Sequence, residues 1–114
     1  GLGDVYKRQE VGTILSSIHK TEEWSRSNRR AFFDHMIGTD FDDRISSGLD
    51  ESLIFSHKIG NWPDNSWHDC GIVFDSTYSN PVVVCLMTNG VPFEDFLEVS
   101  KKTGEFISSL LLQQ

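Results

Sequence analysis

Three short apolar runs, separated by turn-forming residues, set the strongest limit on how this chain folds. Leu53, Phe55, His57 and Ile59 alternate with Ile54, Ser56, Lys58 and Gly60, the period of two expected of a strand. Residues 61–66 contain Pro63, Asp64 and Asn65, a turn composition. Residues 68–74 form a second run, residues 76–80 a second turn, and residues 81–88 a third run. Connections this short join antiparallel neighbours, so the spacing predicts a three-stranded meander. The third run holds VVVCLM without alternation, so it is expected to be covered on both faces.

Around these runs the period is helical. Val11, Ile14, Leu15 and Ile18 fall on one face of a helix over about residues 10–20. Ser25 or Ser27 is expected to cap a second helix with Phe32, Phe33, Met36 and Ile37 on its apolar side and Gly38 as its stop. Residues 39–51 read as loop. Pro92 suits the first position of a long helix, with Glu94 and Asp95 at the positive end of its dipole. Its apolar stripe is Phe93, Phe96, Leu97, Ser100, Phe106, Ile107, Leu110 and Leu111, with Gly104 a local weak point. The fold class expected is α+β, an antiparallel three-stranded meander flanked by helices. Helices are needed on both faces of such a sheet, so the order of elements suggests part of a larger domain.

Residues 1–9, GLGDVYKRQ, match a codon-by-codon translation of ggg ctc gga gat gtg tat aag aga cag. That string resembles a transposon-based sequencing adapter. These residues are expected to be a non-native cloning or sequencing scar, leaving 10–114 for fold reasoning. The net charge of −7 does not suit a phosphate backbone, so nucleic-acid binding is not expected. No apolar run approaches the roughly eighteen residues of a membrane span. His19, His35, His57 and His68 show no metal-ligand spacing, and Cys70 and Cys85 form no CxxC pair. No metal or other cofactor is expected, and each histidine defaults to a surface or hydrogen-bonded role. A hairpin turning between Thr77 and Tyr78 sets Cys70 opposite Cys85. They are either bridged or, as is commoner, two small buried thiols.

Residues 43–90 carry, in order, DRISSGLDESLIFSHKIGNW, WHDCGIVFD and NPVVVCLMTNG. This set resembles the C-terminal half of class A β-lactamases and related active-site serine hydrolases, the penicillin-recognising enzymes. In that family a loop of the type R-I-x-x-G-L precedes a strand bearing Lys-Thr-Gly. A strand of the type D-x-G-I-V follows, then an apolar strand, and a C-terminal helix closes the domain. The resemblance runs from about Val11 to the end. It implies the C-terminal lobe of a β-lactamase/transpeptidase-like domain, with the N-terminal catalytic part missing.

The resemblance also implies roles. Lys58, Ile59 and Gly60 stand at the Lys-Thr-Gly position. Lys58 would point from the strand into a cleft, hold the substrate carboxylate and assist proton traffic near the nucleophile. Gly60 would let substrate lie against the strand. The backbone N–H of Asn61 would be an oxyanion donor, a contact typically worth about 3 kcal/mol in the transition state. Ile59 departs from the family's Thr or Ser and lacks the hydroxyl that helps bind the carboxylate. Asp69 and Arg44 would be structural. Trp62 and Trp67 would either rim the site or cover the sheet edge. Ser17 and Lys20 spell S-x-x-K, the family's nucleophile motif, but lie too close to Lys58 for the motifs that must fit between. The nucleophile is therefore expected upstream of Glu10.

The function implied is β-lactam hydrolysis through an acyl-enzyme, with this chain inactive alone. The alternatives are a D-alanyl-D-alanine carboxypeptidase or other amidase or esterase of the same fold, and a catalytically inactive relative that binds cell-wall fragments. The implied partner is a β-lactam or cell-wall peptide, bound by a monomer. The implied location is extracytoplasmic: periplasmic, secreted or lipid-anchored.

Overall fold

A computed structural model describes residues 8–20, 27, 28, 31 and 43–113, with the side chains of Arg8, Gln9, Val11, Ile18, His19 and Trp62 outside that description. Helix α1 spans Arg8–Lys20, followed by a 3-10 turn at Ile45–Gly48. Strands β1 (Ile54–Trp62), β2 (Ser66–Phe74) and β3 (Val82–Thr88) come next, and helix α2 spans Phe93–Leu112. Helix α1 thus begins two residues before Glu10. Of the expected second helix, Ser27, Asn28 and Ala31 are described and helical; its apolar side, Phe32 to Ile37, and Gly38 lie outside the described residues. No described helix is long and apolar enough to cross a membrane.

The strands form one antiparallel sheet in the order β1-β2-β3, the meander that the turn spacing predicts. The first hairpin is tighter than expected and the second wider, with residues 75–81 between β2 and β3. Asn61 and Trp62 continue β1 and pair with Trp67 and Ser66, leaving three residues for the turn. Asn65 closes that turn at φ 63°, a left-handed conformation that asparagine tolerates. The second turn is organised by Asp75. One of its oxygens accepts from the Thr77 hydroxyl at 2.7 Å and from the Thr77 and Ser79 N–H groups at 2.9 and 2.8 Å; the other accepts from Asn80 at 2.9 Å. Led by the Thr77 hydroxyl, these donors favour the carboxylate and hold Asp75 down at about 2.

The pleat sorts the core into two clusters. On one face Leu15 of α1 packs with Cys70, Ile72 and Phe74, joined by Ile54, Tyr78, Cys85 and Met87. On the other, Ile107 of α2 packs with Ile45, Phe55 and Val73, joined by Val82, Val84 and Leu86. Burying each side chain of this size contributes about 1.5–3 kcal/mol. The most deeply buried strand is β2, sealed from Asp69 to Phe74. The continuous apolar run forms β3 instead, which is covered on both faces but only half-buried, with Val83 exposed. It lies at the sheet's border, where its outer side has no neighbouring strand among the described residues.

Four expectations are corrected by packing. Ile14 is 50% exposed while Leu15 is buried, because α1 meets the sheet along a narrow line. Pro92 is the N-cap of α2 at ψ 145°, not its first helical residue. Phe106 and Leu110 face outward, whereas Phe96, Ser100 and Ile107 are buried. Gly104 is a contact point rather than a weak point. A side chain there would run into the Ile45 carbonyl and the Gly48 backbone, so glycine lets α2 close on the 3-10 turn.

Cys70 and Cys85 stand opposite each other in register and form a disulfide between β2 and β3. The commoner alternative of two free thiols is overturned by this cross-strand pairing, which brings the Cα atoms to 4.0 Å.

Candidate active site on the outer strand

The Lys58 segment lies on β1, an outer strand of the sheet. Alternation divides it. Ile54, Ser56, Lys58 and Gly60 share the face of Phe74, Ile72, Cys70 and His68, while Phe55, His57, Ile59 and Asn61 share the face of Val73, Gly71, Asp69 and Trp67. The first is the α1 face and the second the α2 face. The Lys58 side chain therefore leaves the opposite face of β1 from those of Ile59 and Asn61, and the two faces meet only at the strand's outer edge.

Lys58 is exposed, and its ammonium donates to the Ile59 carbonyl at 2.8 Å. Helix α1 packs against β3 and β2, so among the described residues the amine at the outer strand is left open. Gly60 lies beneath the His68 ring. A Cβ at Gly60 would sit 3.2 Å from His68 Cδ2, a close contact that a shift of the His68 ring by a few tenths of an ångström would relieve.

Behind the strand is a buried polar hub. Arg44, 1% exposed, leads into the 3-10 turn. Its Nη2 donates to Asn61 Oδ1 at 2.6 Å, and its Nη1 donates to the carbonyls of His68 at 3.0 Å and Gly60 at 3.4 Å. The guanidinium lies 5.4 Å from the Phe93 ring centre and 5.5 Å from that of Phe96. Its Nε stands 3.6 Å from Asp43. Oxygen acceptors, two aromatic faces and a carboxylate together offset the cost of burying this charge.

Asp69 is wholly buried. One oxygen lies 2.6 Å from His57 Nδ1, and the other accepts the Ile45 N–H at 3.2 Å. His57 is equally buried and stacks on Phe55 with ring centres 4.2 Å apart. Sequence reasoning passes over His57. The signal was present: His57 alternates with two apolar residues, and Asp69, paired with Ile59, is its diagonal neighbour on the same face. Trp67 donates its indole N–H to the Val91 carbonyl at 2.8 Å and packs on Phe93, so it covers the sheet beneath α2. The Trp62 side chain lies outside the described residues. Ser17 is exposed on α1.

Comparison with known proteins agrees with this architecture. The model of the β-lactamase enzyme family (Beta-lactamase2) matches residues 3–113. No curated protein is similar enough in sequence to count as a match. Among solved structures, PBP-A is similar with a TM-score of 0.76 at 17% identity over 93% of this chain and 40% of its own. A PBP-A variant solved as an acyl-enzyme complex with penicillin G has a TM-score of 0.74 at 18% identity, over 93% of this chain and 40% of its own. The chromosome-encoded β-lactamase of Vibrio parahaemolyticus has a TM-score of 0.79 at 12% identity, over 96% of this chain and 42% of its own. The chain spans about 40% of the length of the solved structures it resembles.

Proposed function

Because the chain belongs to the β-lactamase enzyme family, we propose that it supplies the substrate-binding strand of a serine β-lactamase-like hydrolase. In this reading the Lys58 ammonium binds the carboxylate of a β-lactam or cell-wall peptide, Gly60 lets the substrate lie along β1, and the Asn61 N–H stabilises the oxyanion. A serine from the remainder of the fold attacks the acyl carbon and its proton passes to the amide nitrogen as the C–N bond breaks; water then hydrolyses the resulting ester, releasing the acid and restoring the serine. Arg44 and Asp69 hold the strand from behind. The observation that carries this reading is the arrangement of four successive residues on the outer strand. An exposed ammonium and a bare backbone at Gly60 are followed by a residue whose side chain is gripped by a buried arginine. The protein would work outside the cytoplasm as a monomer.

Ile59 favours a second reading, a relative that binds cell-wall fragments without turnover. A hydrogen bond to a charged group is worth about 1.5–3 kcal/mol, and isoleucine cannot make it. A carboxypeptidase of the same fold would differ in a long-lived acyl-enzyme.

Titrating benzylpenicillin into the ¹⁵N-labelled chain tests the reading. The amide signals of residues 58–61 shift first. Lys58→Ala weakens binding about tenfold or more, and Ile59→Thr tightens it about tenfold to a hundredfold. The chain alone leaves nitrocefin intact. Penicillin binding untouched by Lys58→Ala would sink the assignment.

A further inference from the structure

The hydrolase reading gives His57 no part, yet it is among the most deeply buried polar side chains and immediately precedes Lys58. We propose that His57 is a positioning residue for the strand segment 58–61. It acts through Asp69 on the turn at Ile45, and so on Arg44, which holds the far end of the segment. The proposal rests on the reading of 58–61 as the substrate strand.

The coupling follows from donor counting. A carboxylate oxygen 2.6 Å from His57 Nδ1 requires the proton on that nitrogen, because both atoms would otherwise be acceptors. The other Asp69 oxygen holds the Ile45 N–H. With both oxygens engaged by fixed donors, Asp69 holds the start of the 3-10 turn at Ile45 in place. Arg44 can then spend its terminal nitrogens on Gly60, His68 and Asn61. Without the imidazole donor, a buried carboxylate oxygen loses its partner, and Arg44 is the cation one residue from Ile45. The carboxylate would then hold the Ile45 N–H less firmly, the turn would loosen, and the Arg44 contacts to Asn61 would open more often.

The two strands approach closely at this residue. Gly71 stands opposite His57, and a Cβ at Gly71 would lie 2.7 Å from both Cα and Cβ of His57. A side chain at that position would also run into the Ser56 carbonyl and push the two strands apart at His57.

Two substitutions separate positioning from space-filling. His57→Phe keeps a ring against Phe55 but removes the donor. His57→Asn places an amide N–H where Nδ1 stands. In the ¹⁵N-labelled full chain, His57→Phe should speed hydrogen exchange of the Arg44 guanidinium about tenfold or more and weaken benzylpenicillin binding about fivefold or more. His57→Asn should keep both within about twofold of the parent. If the Phe variant does not fold, His57→Gln replaces it, with its donor displaced by one bond; identical behaviour of the Gln and Asn variants overturns the proposal. Unchanged Arg44 exchange in the Phe variant overturns it too, as does faster exchange with unaltered penicillin binding. Should the parent bind no penicillin, the hydrolase reading fails separately. The Arg44 exchange and the Asn61 amide signal then decide the coupling.

Discussion

The two faces of the sheet are made from the same three strands but are finished differently. The α2 face is closed. Phe96 and Ile107 are buried, Gly104 seats the helix on the 3-10 turn, and the hub of Arg44, His57 and Asp69 lies beneath. The α1 face is covered over β2 and β3, carries the Cys70–Cys85 bridge, and leaves Lys58 exposed among the described residues. The difference teaches a division of labour. Polar groups that set geometry lie where water cannot compete for their hydrogen bonds, while the ammonium proposed to meet substrate lies where substrate can reach it.

The comparison breaks most severely at Asp69. Asp69→Ala strands the His57 and Ile45 donors in a dry site, and urea unfolding should show a loss of about 3–5 kcal/mol. A loss under about 1 kcal/mol would mean that the α2 face does not depend on its hub. Next comes the bridge on the opposite face. Replacing Cys70 and Cys85 together by alanine frees a connection of 15 residues, and the expected cost is about 3 kcal/mol by the same measurement. Equal tolerance of both changes would erase the contrast between the faces.

The smallest effect concerns the outer side of α2. Val99, Phe106 and Leu110 are 47%, 67% and 48% exposed, and their spacing places them along one side of the helix. The chain should bind a hydrophobic dye there. Phe106→Ser with Leu110→Ser should at least halve the dye signal while changing stability by less than about 0.5 kcal/mol per site. An undiminished signal would move the apolar surface elsewhere, to Ile14 and Val83 on the α1 face.

Much of the fold was legible because strand and turn signals are local. Pro63 to Asn65 and the Asp75 turn punctuate three runs whose lengths leave little choice of pairing, and the register that brings Cys70 to Cys85 follows from the turn position. The candidate segment at Lys58 was legible through family resemblance. What could not be read was direction and depth. Phe106 and Leu110 suit an apolar stripe as well as Ile107 does, and only the helix's docking line separates them. The grip of Arg44 on Asn61 spans seventeen residues and depends on where the 3-10 turn meets the end of β1.

The sequence by itself determined the meander, its turns, the long closing helix and the strand that carries Lys58, because periodicity and turn chemistry act between near neighbours. Only the tertiary structure decided that β2 rather than β3 is sealed, that Gly104 is a contact and that His57 and Asp69 form a buried pair. Those outcomes depend on which surfaces meet, and burial and hydrogen-bond satisfaction are set by the whole packed arrangement.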